Sequence, residues 1–476
     1  MVTRPTDVPP WAAPYRPPHD GPRDEGLDAD GAWRAHVAEA LSGIHARDLA
    51  ELTAAMTDDA RRAGLSFPID GGTQTFHVDP VPRVLSAAEW APIERGVAQR
   101  ARALDAFVAD VHGERRAVRE GVIPARVVDS AEHHEPQARE LPPPAGVWVA
   151  LAGLDLVQAR DGTFAVLEDN VRTPSGIAYT LAARALVEDV LGLDAPVPAR
   201  SLSGTIALLK ATLAAAAPPG RDADREDLNL VVLTDGPASA AYWEHRVLAV
   251  HLDAPLVTHE DLVLDDHDRL LHRDAPQRPI DVVYRRTDSS TLASSGHALL
   301  RAALRAGTAG VVNAFGTGVA DDKLTHAYVE DLVRFYLGEE PVLRSVPTFD
   351  LANPQHYEEA LDRLDELVVK PRGGAGGHGV VICPHAERDA IDAVRVAIVD
   401  GPDAFVAQEL VPLSTHPTVV DGTLRPRHVD LRPFAFVTPA GAQVLPGGLS
   451  RVALREGSIV VNSSQDGGAK DTWVLP

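Results

Sequence analysis

In the stretch ELVVKPRGGAGGHGV an apolar run delivers Lys370, and Gly373, Gly374, Gly376, Gly377 and Gly379 follow within seven positions before a second apolar run, VVIC. Glycines this dense free the backbone and let main-chain N–H groups close over phosphate oxygens, while the strand fixes an ammonium beside them. The order strand, glycine turn, strand limits the possible folds. A Walker loop needs Gly-Lys-Ser/Thr opening a helix, and a dinucleotide fingerprint needs a helix after its glycines; neither follows here. A mobile surface hairpin is the bland alternative, but it has no need of five glycines.

Lysine placement points the same way. The chain holds only four lysines among 45 basic residues: Lys210 in a plain helical run, Lys323 in GTGVADDKLTHAYV, Lys370, and Lys470 in NSSQDGGAKDTWVL. A compact point charge on a slim stem suits phosphate where a planar guanidinium would not fit. The net charge of −23 argues against nucleic-acid or anionic-membrane partners, so any polyanion must be held by a local cluster. No apolar run approaches a membrane span and no signal-peptide pattern opens the chain, which places it in the cytoplasm. Cys383, the single cysteine, excludes a disulfide framework and reads as a buried thiol.

At 476 residues the chain allows about three domains. Residues 1–30 are a proline-rich tail, or an arm lying on the body. Residues 31–145 read as an α+β scaffold: helical spacing to about Ala63, short strands joined at Gly71-Gly72, then a helix within Ser86–Gly113. Residues 146–227 begin with GVWVALAGLDLVQARDGTFAVLEDN, two strands joined by Asp161-Gly162, and a helix starts near Gly176. Residues 228–312 alternate short β runs (LNLVVLTD, RVLAVHL, IDVVYRR, GTAGVVNAF) with helices, as in a doubly wound parallel sheet. Residues 313–476 carry a helix over 322–337, the glycine turn and strands to the end.

Asp155, Glu168 and Asn170 fall on the two strands of one hairpin, with Glu168 and Asn170 on the same side. Such oxygen donors suit Mg²⁺, which takes one or two carboxylates plus phosphate oxygens and water; an acidic strand end with Asp169 solvated is the other reading. In Arg172-Thr173-Pro174-Ser175-Gly176 the hydroxyls can cap the next helix, and Arg172 is a candidate clamp for a phosphoryl group or carboxylate. Gln408-Glu409, at the end of DAFVAQELVPL, can offer acceptors to an adenine amine and ribose hydroxyls. His428, Asp430 and Arg432 share a strand face: a metal pair, or a hydrogen-bonded pair that orients Arg432. Arg285 and Arg286 bind a carboxylate or end an edge strand, and His133 and His134 read as solvated.

These strings together resemble the circularly permuted ATP-grasp proteins, with a glutathionylspermidine synthase-like ligase core. The matching residues are GLDL, VLEDNVRTPSGIAYTL, YRRTD, VNAFGTGVADDK, VVKPRGGAGGHG, AQELVPLSTHPT, HVDLRPF, PGGLSRVAL and NSSQDGGAKDTWVL, running from about 150 to 476. The resemblance implies an α+β, circularly permuted ATP-grasp fold with a pre-ATP-grasp-like α/β unit at 228–312. It implies ATP held by Lys323, Lys370, Gly373, Gly374, Gly376, Gly377, Gln408 and Glu409, and Mg²⁺ on Asp155, Glu168 and Asn170. It also implies that KDTWVLP lies near GVWVALAGLDL, joining the ends of the permuted core. The family's arginine just before the first metal aspartate is missing from Leu151-Ala152-Gly153-Leu154, so Arg172, Arg432 or Arg451, with Lys470, supply the catalytic positive charge.

The implied reaction is ATP-dependent joining of a small-molecule or peptide carboxylate to an amine through an acyl phosphate. Phosphoryl transfer without ligation, and a nucleotide-gated binding or assembly protein without catalysis, are the alternatives.

Overall fold

The structure is a computed structural model that describes residues 8–18, 21–44, 48–69, 72–191, 199–219, 228–287, 295–374, 379–459, 461 and 467–476. Its centre is a sheet whose main path runs Arg344–Ser345, Phe164–Asn170, Leu151–Gln158, Thr423–Arg432, Leu449–Ala453, Gly467–Val474, Val78–Leu85. The metal-type hairpin forms as its sequence dictates. Gly162 turns the chain at φ +87°, and the Thr163 N–H donates to Asp161 Oδ1 at 2.9 Å. Asp155 sits opposite Glu168 and Gly153 opposite Asn170, with a bulge just after Asp155. A bulge locally re-aims side chains and is often found beside a site.

The terminal strand departs from expectation. Gly467–Val474 pairs antiparallel with Leu449–Ala453 and parallel with Val78–Leu85, and two strands separate it from Leu151–Gln158. The front segment is therefore woven into the central sheet. Its long helix, Ala87–Val111, starts at a capping box between Ser86 and Glu89 and buries Trp90, Ile93, Val97, Leu104 and Phe107. The proline-rich N-terminus lies on the body as an arm over its described residues: Glu25 forms a buried pair with Arg83, and Asp24 bridges to Thr415.

Residues 348–409 form a smaller lobe. Its antiparallel sheet runs Thr348–Asp350, Phe405–Glu409, Leu367–Pro371, Val381–Ile382, backed by helices Pro354–Asp362 and Arg388–Asp400 over a core that includes Leu351, Leu367, Ile391, Ile398 and the buried Cys383.

Residues 230–312 carry a parallel sheet in the order Gly310–Val312, Val282–Arg286, Leu230–Thr234, Leu256–Val257. One expectation and one of two alternative readings fail here. RVLAVHL is the second half of helix Tyr242–Leu252, because Glu244, His245, Leu248, Ala249 and Leu252 recur at helical spacing and bury one face. Arg285 and Arg286 do not end an edge strand: theirs is interior and both are buried. Arg286 reaches Pro174 O at 2.8 Å and Glu244 at 3.3 Å, and Arg285 lies over the Phe315 ring. No helix among the described residues is long and apolar enough to cross a membrane.

Candidate active site

A cleft of about 320 Å³ opens between the small lobe and the central sheet. Val368 and Ile382 on the lobe face Leu167, Val411 and Leu413, an apolar slot of the kind a purine base fills. Lys370 ends the lobe strand; its Nζ donates to Gln408 Oε1 at 2.5 Å, and the Gln408 amide nitrogen donates to Thr348 Oγ1 (2.9 Å) and Leu167 O (3.3 Å). Gln408 thus ties the lysine to the metal-type hairpin. Glu409 also lines the cleft, with its carboxylate 2.9 Å from Arg363. Lys323 bridges the two sides, pairing with Glu168 at 3.1 Å and donating to the Gly374 carbonyl. Burial lowers the Lys370 ammonium below its ordinary value, and the charge of Lys323 adds to this against the opposing pull of Glu168 and Asp155. An anion entering the cleft would relieve that cost. Gly373 and Gly374 line the cleft, whereas Gly376 and Gly377 lie outside the described residues.

Asp155, Glu168 and Asn170 all face this cleft. Asp155 is gripped by two guanidinium groups, Arg432 at 2.5 and 2.8 Å and Arg451 at 2.8 Å. Arg451 in turn holds Asp430. Burial alone would raise the Asp155 carboxyl, but Arg432 and Arg451 outweigh it and hold it well below the usual carboxylate range. Asp430, buried beside Asp155, is pushed up in spite of Arg451. The Asn170 amide nitrogen is buried without a hydrogen-bond partner among the described residues. Two carboxylates and an amide from one hairpin, facing a cleft that admits phosphate, fit Mg²⁺, which leaves its remaining positions to phosphate oxygens and water. No group of three His, Cys, Asp or Glu side chains that could hold a metal occurs among the described residues. Arg172 reaches the same cleft; its Nε has no hydrogen-bond partner among the described residues and lies 3.9 Å from Asp321.

Lys470 is not part of this constellation. It is fully buried among Asp79 (2.5 Å), Pro417 O (2.9 Å) and Val81 O (3.1 Å), where it joins the last strand to the front segment. His428 does not line the cleft either; its Nδ1 lies 2.9 Å from Leu413 O, so the metal-pair reading of His428 and Asp430 fails. The hydroxyls expected to cap the helix after Arg172 are replaced by Glu244, whose carboxylate accepts from the Gly176 and Ala178 N–H groups. That helix end already holds its anion.

Several groups in or beside the cleft were missed or misread from the sequence. Asp169 is buried, not solvated: Arg100 grips it at 2.6 and 2.8 Å and His326 Nδ1 lies 2.7 Å away. Asp322 pairs with Arg372 of the glycine turn at 3.0 Å, and Asp321 accepts the Val171 and Arg172 N–H groups. Glu132 and His133 of the front segment line the mouth. The adjacency of Asp321 and Asp322 to Lys323 was the one available hint; partners 50, 69 and 150 positions away leave no trace in local spacing.

Comparison with known proteins places the chain in a family. The family described as "Circularly permuted ATP-grasp type 2" matches residues 82–453. A Frankia alni protein named "Putative glutamate--cysteine ligase 2-3" is 44% identical over 467 residues, 95% of this chain and 53% of that protein. The chain therefore spans about half the length of that relative, and of a similar protein from Frankia casuarinae. An uncharacterized Mycobacterium tuberculosis protein is 42% identical over 466 residues, 95% of this chain and 84% of its own length. Among solved structures, the apo form of a glutathione synthetase-like effector from Globodera pallida superposes with a TM-score of 0.57 at 14% identity, covering 90% of this chain and 98% of that one, a likeness of fold alone. The chain belongs to the circularly permuted ATP-grasp family.

Proposed function

We propose that this protein is an ATP- and Mg²⁺-dependent carboxylate–amine ligase. The observation that carries the reading is that one cleft gathers the lysines and glycine turn, the Asp155, Glu168 and Asn170 set, and Arg172, Arg432 and Arg451, from strands and turns spread over some 300 residues. Lys370 and Lys323 would hold the phosphates. Asp155, Glu168 and Asn170 would hold Mg²⁺, which would supply positive charge against what develops on the transferred phosphoryl group. Arg172, held only by a long 3.9 Å pair with Asp321 where Arg432 and Arg451 make close pairs, is placed to clamp the substrate carboxylate or the phosphoryl oxygens. Positioning and charge then suffice for transfer of the γ-phosphoryl to the carboxylate, and an amine displaces phosphate to give an amide. The name of the Frankia relatives suggests an amino-acid substrate, but it belongs to proteins nearly twice as long, so the substrate class rests on the site.

The test is ATP binding by calorimetry with and without Mg²⁺. Lys370→Ala is expected to abolish binding. Glu168→Gln is expected to weaken its metal dependence and to lower turnover about 10²-fold, roughly 3 kcal/mol of transition-state stabilisation. Metal-independent ATP binding, or a Glu168→Gln variant with full turnover, would overturn the metal assignment. A stable phosphate ester in place of an amide would make the reaction phosphoryl transfer.

A further inference from the structure

The segment 131–135, expected to be a solvated loop, is locked in place. The Gly316 N–H donates to Glu135 Oε2 at 2.8 Å, and His112 Nε2 lies 3.0 Å from the Gly316 carbonyl. A Cβ on Gly318 would fall 2.4 Å from His133 Cβ and 2.6 Å from the His133 carbonyl oxygen, so glycine is what lets the GTGVADDK turn press so close. On the other side, a Cβ on Gly373 would fall 1.3 Å from Glu132 Oε2. The segment therefore walls the cleft between the glycine turn and the turn that carries Lys323. Glu132 and His133 line it, whereas His134 does not.

Ligation requires a group that the phosphate-binding and metal-binding residues do not supply. An amine reaches the cleft as an ammonium ion and must lose a proton before its lone pair can attack. Glu168, Asp155, Asp430, Asp322, Glu409 and Asp321 are each engaged by a cation, and Glu132, the other carboxylate of the lining, is exposed at the mouth. His133 is the cleft's one imidazole among the described residues. We propose that His133 is the general base of the ligation, a role that rests on the ligase reading above.

The ammonium gives one proton to the neutral imidazole, and the freed lone pair forms the C–N bond to the acyl carbon. The C–O bond to phosphate breaks with its electron pair leaving on phosphate, which takes the second surplus proton from nitrogen. The imidazolium returns its proton to solvent at the cleft mouth. His133 faces Arg172, Glu132, Asp321 and Glu135; burial, helped by Arg172, lowers it below the ordinary imidazole value against the pull of the three carboxylates. It is therefore neutral at physiological pH, as a base must be. Exposed Glu132 next to it supplies the negative charge that draws the ammonium in.

The experiment uses the full chain with Mg-ATP and a mixture of amino acids, reading phosphate release and amide product, and repeats it with hydroxylamine, which is unprotonated at neutral pH and needs no base. The variants are His133→Ala and His133→Asn, each checked for an unchanged melting transition. Expected is a loss on the order of 10²-fold with amino-acid amines, hydroxamate formation unchanged, rescue of His133→Ala by added imidazole, and disappearance of the acid limb on which the wild-type rate rises with pH. Equal loss with both nucleophiles would make His133 a wall residue only, and no loss with either would remove it from the reaction. A wild type that makes hydroxamate but no amide also overturns the base. A wild type that makes neither brings down the ligase reading itself.

Discussion

Lys470 is fully buried and Lys370 half-buried, and their surroundings give them different tasks. Lys370 points into a cleft beside another cation, Lys323, whereas Lys470 has a full set of oxygen partners and no opening to solvent. Removing Lys470 leaves Asp79 as a buried charge whose remaining partners are the Val81 and Val419 N–H groups. Lys470→Ala is expected to cost about 3–5 kcal/mol in urea denaturation while ATP affinity per folded molecule is unchanged. The double change Lys470→Met with Asp79→Leu should recover most of that loss, since removing both charges removes the penalty. A Lys470→Ala variant of full stability that fails to bind ATP would return this lysine to the site. Sequence spacing could not separate the two lysines, because each stands beside glycines and what differs is the third dimension.

At the scale of elements, two devices hold the cleft's arginines and hairpin in register. Glu244 fills the N-terminus of helix Ile177–Leu191 and pairs with Arg286, joining the α/β sheet to the turn that carries Arg172. Glu244→Ala strands two helix N–H groups and a buried guanidinium; a loss of roughly 3 kcal/mol is expected, with Glu244→Gln losing less, as read from thermal melts. Gly448 is the second device. A Cβ there would lie 2.4 Å from the Arg432 carbonyl oxygen and 2.8 Å from its carbon, both rigid backbone. Gly448→Ala is expected to displace the strand end that carries Arg432 and lower turnover more than ATP affinity; equal loss of both would mean that the whole lobe has shifted. The hairpin with its Asp-Gly turn was legible because its partners are neighbours in sequence. The RVLAVHL helix was misread because a short apolar run fits either period until its burial is known.

Across the whole molecule, buried charge sets the response to acid. Asp155 and Asp169 are held below their ordinary carboxylate values by guanidinium groups that outweigh burial, so their ionised forms stabilise the fold at neutral pH, and that contribution is lost as pH falls below about 4. Asp24, in the N-terminal arm, has the opposite sign: burial raises it to about 6, so its ionisation opposes folding and that cost is relieved as pH falls through 6. The buried imidazoles of His245 and His416 are held below their ordinary value, chiefly by burial, so they cost stability as pH falls below about 6.5 and oppose the relief at Asp24. The melting temperature is therefore expected to decline from about pH 6.5 and to drop steeply below about 4, where ATP affinity falls too; a melting temperature that holds to pH 5 would contradict the burial of these imidazoles. Removing residues 1–30 uncouples Glu25 from Arg83, which is fully buried, and is expected to lower stability by several kcal/mol although the arm does not line the cleft.

The sequence by itself determined which local pieces could form and which chemistry they could carry: the glycine turn after Lys370, the Asp155 and Glu168 hairpin, the arginine-bearing strands, and through them the family. These are properties of neighbouring residues, where period, turn chemistry and residue type act directly. The tertiary structure decided which pieces meet. Arg432 stands 277 positions from Asp155, and Arg100 69 from Asp169. It also decided that Lys470 is locked in the core and that His133 faces the cleft. Burial and charge pairing depend on what the fold brings alongside, and a one-dimensional spacing carries no measure of that distance.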